Sequence, residues 1–224
     1  MPNFDELRAR MIETHVVKRG MRNPRVLEAL RRVPRERFVS EELADSAYDD
    51  SPLPIGEGQT ISQPYIVAVT IDAMRLEPHQ RVLEVGTGSG YAAALLSHLA
   101  AEVYTVERVE SLASAARKRL AQLGYRNVRV LHADGTLGWP EHAPYDAIAV
   151  AAVGPRPPPA LLQQLCIGGR LVMPVGPDGS QVLTRLTRTS DETFEEEPLA
   201  GVRFVPLIGE QGFGDAPRKS RGRH

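Results

Sequence analysis

Apolar positions in the first 50 residues recur at helical spacing. Leu7, Met11, Ile12 and His15 form one stripe, and the pattern predicts a helix opened by Asn3, with Glu6 as its capping partner, and stopped by Gly20. Asn23-Pro24 predicts a second start: a cap residue followed by proline in the first turn. Val26, Leu27 and Leu30 give that helix a buried side, and Pro34 ends it. Residues 48–64 are rich in Gly and Pro, carry no period, and predict a long irregular loop. Residues 65–74 are mostly apolar and predict a buried helix with Pro64 in its first turn.

From Arg81 the pattern changes. Short apolar runs at 82–85, 103–106, 127–131, 145–151 and 169–174 alternate with helical stretches at 91–100, 110–123 and 158–166. This β-α-β alternation predicts a Rossmann-like α/β sandwich with a mostly parallel sheet. Residues 182–187 and 194–205 read as a closing antiparallel hairpin. The chain divides into an N-terminal helical extension (1–50), a loop and helix (51–80), the α/β core (81–210) and a flexible basic tail (211–224) carrying Arg218, Lys219, Arg221 and Arg223.

Composition narrows the function classes. The 27 basic and 28 acidic side chains of this 224-residue chain nearly cancel, which argues against a nucleic-acid or membrane-surface partner. The N-terminal run lacks the basic start and apolar stretch of a secretion signal, so a cytoplasmic protein is expected. Cys166 is the single cysteine. It falls on the predicted helix with Leu161, Leu162 and Leu165 and is expected in the core. The six histidines are scattered without ligand spacing, so no metal site is expected. Ser89 lacks the flanking glycines of a hydrolase elbow, since Thr87 and Tyr91 occupy those positions.

The chemistry concentrates at Gly86-Thr87-Gly88-Ser89-Gly90, between the first core strand and its helix. Glycines there permit a sharp turn and a close ligand. Tyr91 stands where a dinucleotide fingerprint needs its third glycine, which counts against a nicotinamide oxidoreductase. Glu107 ends the second strand, where an acid can hold a ribose diol. Asp134-Gly135 ends the third, at the place for an adenine edge. Glu84 lies inside the first strand and suits a cationic ligand better than a pyrophosphate. S-adenosylmethionine meets these requirements: ribose, adenine, ammonium and sulfonium, and no phosphate.

Residues 82–90, Glu107, Asp134-Gly135 and Tyr145-Asp146-Ala147-Ile148 resemble the methyltransferase nucleotide-binding core. Residues 54–68, with Gly58-Gln59-Thr60-Ile61-Ser62-Gln63-Pro64 at their centre, closely resemble the signature of the protein-L-isoaspartate O-methyltransferases. Residues 33–39, 168–176 and 202–207 are similar to the same family, and the resemblance runs from about residue 5 to 209. One departure is the loop at 150–159, Val-Ala-Ala-Val-Gly-Pro-Arg-Pro-Pro-Pro, where the family tends to carry a Thr-Ala-Ala run. The family implies methyl transfer to the free carboxyl of L-isoaspartyl residues, and of D-aspartyl residues, in damaged proteins. The ester then decays through a succinimide that can reopen as aspartate. A different small-molecule acceptor, or a regulator that binds the cofactor without turnover, remains open at this point.

A carboxylate with a pKa near ~4 needs no base at neutral pH. It needs positioning and loss of its water. Ser62 and Gln63 fall at the start of the helix after the loop, where free N–H groups favour an anion. Thr60 and Ser62 lie two apart and face one way in extended chain. Spacing alone fits Ser62 equally well as a helix cap; the resemblance favours Ser62 and Thr60 as active-site residues orienting the acceptor. Ile61 and Gln63 beside them, and Val205 in a 202–207 segment read as a peptide-binding strand edge, are the expected substrate contacts. Glu84, Gly86, Thr87, Gly88, Ser89, Gly90, Glu107, Asp134 and Gly135 are the expected cofactor contacts. A monomer is expected.

Overall fold

The computed structural model describes residues 3–177 and 179–214. Helix α1 (Phe4–Met11) opens on Asn3, whose side chain accepts from the Asp5 and Glu6 amides and donates to Glu6 Oε1 at 2.8 Å. The predicted capping pair is therefore formed. The helix does not stay α-helical to Gly20. Residues Ile12–Val17 wind as a π-helix. The wider winding puts residues five apart on one side, so Met11 and Val16, at 1% and 0% exposure, are buried together. Helix α2 (Pro24–Arg32) starts on Asn23, which accepts from the Arg25 amide.

Residues 48–64 are more ordered than the sequence suggests. They hold a two-stranded antiparallel hairpin, β1 (Leu53–Gly56) and β2 (Gln59–Ile61). Its two turn residues, Glu57 and Gly58, have φ of 53° and 70°. A primed turn of this kind matches the twist of paired strands. The strands are too short, and Pro54 too discouraging, for their alternation to be read. Helix α3 (Pro64–Ala73) follows as expected.

The core then runs β3 (Arg81–Val85), α4 (Tyr91–Leu96), β4 (Glu102–Glu107), α5 (Glu110–Gln122), β5 (Val128–His132), β6 (Tyr145–Val150), α6 (Pro159–Gln163), β7 (Leu165–Val175), β8 (Gln181–Arg188) and β9 (Phe194–Val202). The sheet order is β5-β4-β3-β6-β7-β8-β9. Strands β3 to β7 run parallel, and β8 and β9 close the sheet antiparallel. The chain travels outward from β3 to β5, then returns to the other side of β3 with β6. That reversal opens a crevice beyond the carboxyl ends of β3 and β6, where ligands of open α/β sheets bind.

Three elements depart from expectation. Helix α4 ends at Leu96 rather than near residue 100. Helix α6 stops at Gln163, and Cys166 lies in β7. Gln164 explains the stop: its carbonyl accepts from the Tyr145 amide, and its side chain bonds the Trp139 amide and the Leu137 carbonyl. The chain there is committed to β6 and the 137–139 turn. Cys166 is half-buried rather than in the core, with its sulfur 3.7 Å from Asp146 Oδ1. Finally, β9 stops at Val202 rather than at 205, and 203–207 is not a regular strand. Its backbone pairs with Val153, through Val153 N–H to Val205 O and Leu207 N–H to Val153 O.

Side chains alternate across the sheet, so Val82, Val103 and Val172 pack on one face and Leu83, Val106 and Leu171 on the other. The first cluster also contains Met11, Val16 and Leu30 from the N-terminal helices. Leu30 is 0% exposed. Leu30→Ala is expected to cost about 2–5 kcal/mol, and the N-terminal helices should unfold with the sheet in one transition. Denaturant titration followed by two probes checks this; separate transitions would mean that 1–50 folds apart. Residues 211–214, read as the start of the tail, are tied down: Phe213 N–H bonds Leu207 O at 2.7 Å, and Gln211 Oε1 accepts from the Ala160 amide. The basic residues of the tail lie outside the described residues. No helix among the described residues is long and apolar enough to cross a membrane.

Candidate active site

The glycine turn leaves β3 with Gly86 at φ 94° and Gly88 at φ 52°. A side chain at Gly86 would press on Ala151 after β6, and one at Gly88 would press on Ile55 of the hairpin. These two glycines let the turn fit between the sheet and the active-site loop. Gly90 does a different job: it caps α4 in a left-handed conformation and packs against Leu120 of α5.

Carboxyl groups surround the turn. Glu107 Oε2 accepts from the Gly88 amide at 2.9 Å, and Oε1 accepts from the Val109 amide at 3.0 Å. Glu84 is 2% exposed. Its Oε2 accepts from Thr105 Oγ1 at 2.6 Å, and Thr105 Oγ1 in turn lies 2.6 Å from Thr87 Oγ1. Burial pushes the Glu84 carboxyl up to about 8; the charge of Glu107 adds to the rise and the Thr105 hydrogen bond opposes it. Asp134 is held in place by three hydrogen bonds. Its Oδ1 accepts from the Thr136 amide and hydroxyl, and its Oδ2 accepts from the Glu210 amide.

The turn, the loop before α3 and the segment after β9 converge on one cleft of about 1030 Å³. Glu84, Gly86, Thr87, Gly88, Ser89 and Glu107 line one side. Thr60, Ile61, Ser62 and Gln63 line the second, and Val205 with its neighbours lines the third. Gln63, not Ser62, is the N-cap of α3, and its side chain makes no capping bond; it donates instead to the Asp50 carbonyl at 3.0 Å. The Ser62 carbonyl accepts from Arg35 Nη2 at 2.9 Å. Ser62 lines the cleft, and its hydroxyl makes no hydrogen bond among the described residues. The first intrahelical bond runs from the Val67 amide to the Gln63 carbonyl. The Tyr65 and Ile66 amides precede it and remain available to an anion.

The protein-L-isoaspartate(D-aspartate) O-methyltransferase family model matches residues 6–212. The chain belongs to this family. It is 57% identical over 220 residues to protein-L-isoaspartate O-methyltransferase 1 of Rhodopseudomonas palustris, covering 98% of this chain and 90% of that one. It is 54% identical to protein-L-isoaspartate O-methyltransferase 2 of Marinobacter nauticus, covering 94% and 97%. Among solved structures, a protein-L-isoaspartate O-methyltransferase superposes with a TM-score of 0.82 at 27% identity, covering 94% of this chain and 67% of that one. A Plasmodium falciparum protein assigned to the same activity, in complex with S-adenosyl-L-homocysteine, superposes with a TM-score of 0.79 at 25% identity, covering 93% and 99%.

The methyltransferase cleft gathers most of the expected contacts. Two stand aside: Asp134 and Gly90 are not among the residues lining it, whereas Gly135 is. The cleft also takes residues that motif reading missed. Ala151 and Ala152 sit at its floor after β6, and Gln181 and Phe204 sit at its rim. Gln181 pins that rim by a side-chain pair with the Phe204 backbone, donating to its carbonyl at 3.3 Å and accepting from its amide at 2.6 Å. Nothing in the sequence separates Gln181 from an ordinary strand residue. The polar groups at the turn fit S-adenosylmethionine. Two buried acids, Glu84 and Glu107, face a turn too tight for added side chains, which suits a cationic nucleoside.

Proposed function

We propose that Ser62 and Thr60 hold the methyl acceptor of this protein-L-isoaspartate O-methyltransferase, and that the glycine turn with Glu84, Glu107 and Gly135 holds the cofactor. The reaction moves a methyl group from S-adenosylmethionine to the free carboxyl of an L-isoaspartyl residue, and of a D-aspartyl residue, in damaged proteins. The single observation that carries the assignment is the unbonded Ser62 hydroxyl, set at the start of α3 in the same cleft as the glycine turn.

When bound, S-adenosylmethionine supplies a methyl group activated by its sulfonium. The chain's own task is positional. Ser62 Oγ and the free amides of α3 donate to the acceptor carboxylate and fix its direction. Thr60, exposed at the hairpin edge, supplies a second hydroxyl from the same side. Val205 offers apolar surface that strips water from the carboxylate, whose reactivity its hydration suppresses, while Ile61, buried at 4% exposure, anchors the loop from beneath instead of meeting the substrate as expected. No general base is required, because the acceptor is ionised at neutral pH.

The main-chain pairing of 203–207 with Val153 leaves that segment as a wall of the cleft, against which a peptide substrate lies. We assign 51–80 as the acceptor loop and helix and 81–210 as the methyltransferase core, whose 203–207 segment also meets the substrate. A monomer working in the cytoplasm, with no nucleic-acid or membrane partner, fits the balanced charge. The test is methyl transfer from labelled S-adenosylmethionine to paired peptides differing only in L-isoaspartate or L-aspartate. Base-labile label on the isoaspartyl peptide alone is the expected result. No label on either peptide, with cofactor binding intact, would overturn the reading.

A further inference from the structure

Arg35 is 0% exposed and has no acidic partner among the described residues. A buried guanidinium is normally matched by a carboxylate, because an unpaired charge is costly to remove from water. Burial accordingly depresses its pKa. Its hydrogen bonds run to main chain instead. Nε donates to the Ala47 carbonyl at 2.7 Å and Nη2 to the Ser62 carbonyl at 2.9 Å. The guanidinium carbon lies 4.8 Å from the ring centroid of Tyr91, a residue of the cleft wall. Arg35 Nη1 and the Tyr91 hydroxyl are both buried without a hydrogen-bond partner among the described residues.

The two carbonyls mark the ends of the segment 47–62, which contains the β1–β2 hairpin and Thr60. One planar fork therefore ties both ends of the acceptor loop to the residue that follows α2 and Pro34. Arginine suits this job because its donors are rigidly arranged, whereas a lysine ammonium is a point donor on a flexible stem. The Ser62 carbonyl, once held, fixes the peptide plane that leads into Gln63 and α3. The direction of the Ser62 hydroxyl is then set before any acceptor arrives.

We propose that Arg35 is a positioning residue for the methyl acceptor: by gripping the Ala47 and Ser62 carbonyls it preorganises the loop that presents Ser62 and Thr60. This rests on the assignment of Ser62 to the acceptor. It also explains why a charge is buried behind the loop with no counter-ion: the geometry of the fork is used, and an apolar residue would leave two carbonyls without donors.

The test uses the full-length enzyme with Arg35→Lys and Arg35→Met. Three readouts are compared: kcat and KM on an isoaspartyl peptide, affinity for S-adenosylhomocysteine, and amide hydrogen exchange. Arg35→Met is expected to lower kcat about tenfold or more, with cofactor affinity held within about twofold. Exchange should speed up by about tenfold at 59–63, while β3 and β4 keep their protection. Arg35→Lys, which keeps the charge and one donor, should fall between Arg35→Met and wild type, and it carries the test if the methionine variant does not fold. Unchanged kcat and unchanged loop exchange in the lysine variant would overturn the proposal. So would a uniform loss of protection, turnover and cofactor affinity, which would make Arg35 a general stabiliser. A wild-type enzyme inactive on the isoaspartyl peptide would refute the acceptor assignment alone, and exchange at 59–63 would still decide the role of Arg35.

Discussion

Ser62→Ala is expected to lower kcat on an isoaspartyl peptide by about 100-fold, while affinity for S-adenosylhomocysteine changes by less than about twofold. The split follows from what the hydroxyl leaves unbonded. Were Ser62 a helix cap, its loss would loosen α3 and damage every function of the cleft. The cap position belongs to Gln63, and no side chain caps α3. The Ser62 hydroxyl bonds nothing within the described protein, so removing it breaks no native contact. The proposed role toward a molecule in the cleft is what the substitution removes. Thermal stability should accordingly move little, and Ser62→Thr, which keeps the hydroxyl, should recover part of the rate. Steady-state kinetics beside calorimetric titration check the split. Parallel loss of turnover and cofactor affinity would return Ser62 to a structural role.

The legibility of this chain follows the range of its interactions. The glycine turn, the strand-end acid Glu107 and the α/β alternation are local in sequence, and the structure keeps them together. The N-cap residues Asn3 and Asn23 are equally local, and both make their caps. What escaped depends on distant partners. Cys166 left its expected helix because Gln164, two residues earlier, is engaged by the 137–139 turn and by β6. Residues 203–205 read as the end of a strand, yet the partners that fix 203–207 are Val153 in a loop after β6 and the side chain of Gln181. Arg35 lies in the 33–39 stretch that resembles the family, but nothing local gives it a role. Its importance rests on two carbonyls, 12 and 27 residues away.

Cofactor affinity is expected to rise with pH up to about 8 and then level off, with Glu84 as the cause. In the free enzyme, burial holds the Glu84 carboxyl protonated through neutral pH. A bound sulfonium or ammonium group favours the carboxylate, so binding below about pH 8 must expel a proton. Affinity then improves by at most about tenfold per pH unit until the carboxyl ionises unaided. The stability of the free enzyme moves the other way. The raised pKa favours the folded state below the unfolded carboxyl value of 4.5, and that advantage is lost as pH rises through about 8. Glu84→Gln separates the two effects. It should weaken cofactor binding at pH 8 by about 10- to 100-fold and remove the proton release. It should also raise the melting temperature of the free enzyme most at alkaline pH, because no buried carboxylate has to form. Calorimetric titration in two buffers of different ionisation enthalpy reads the expelled proton directly. A wild-type affinity that stays flat from about pH 6 to 9, with no proton released, would show that binding does not ionise Glu84.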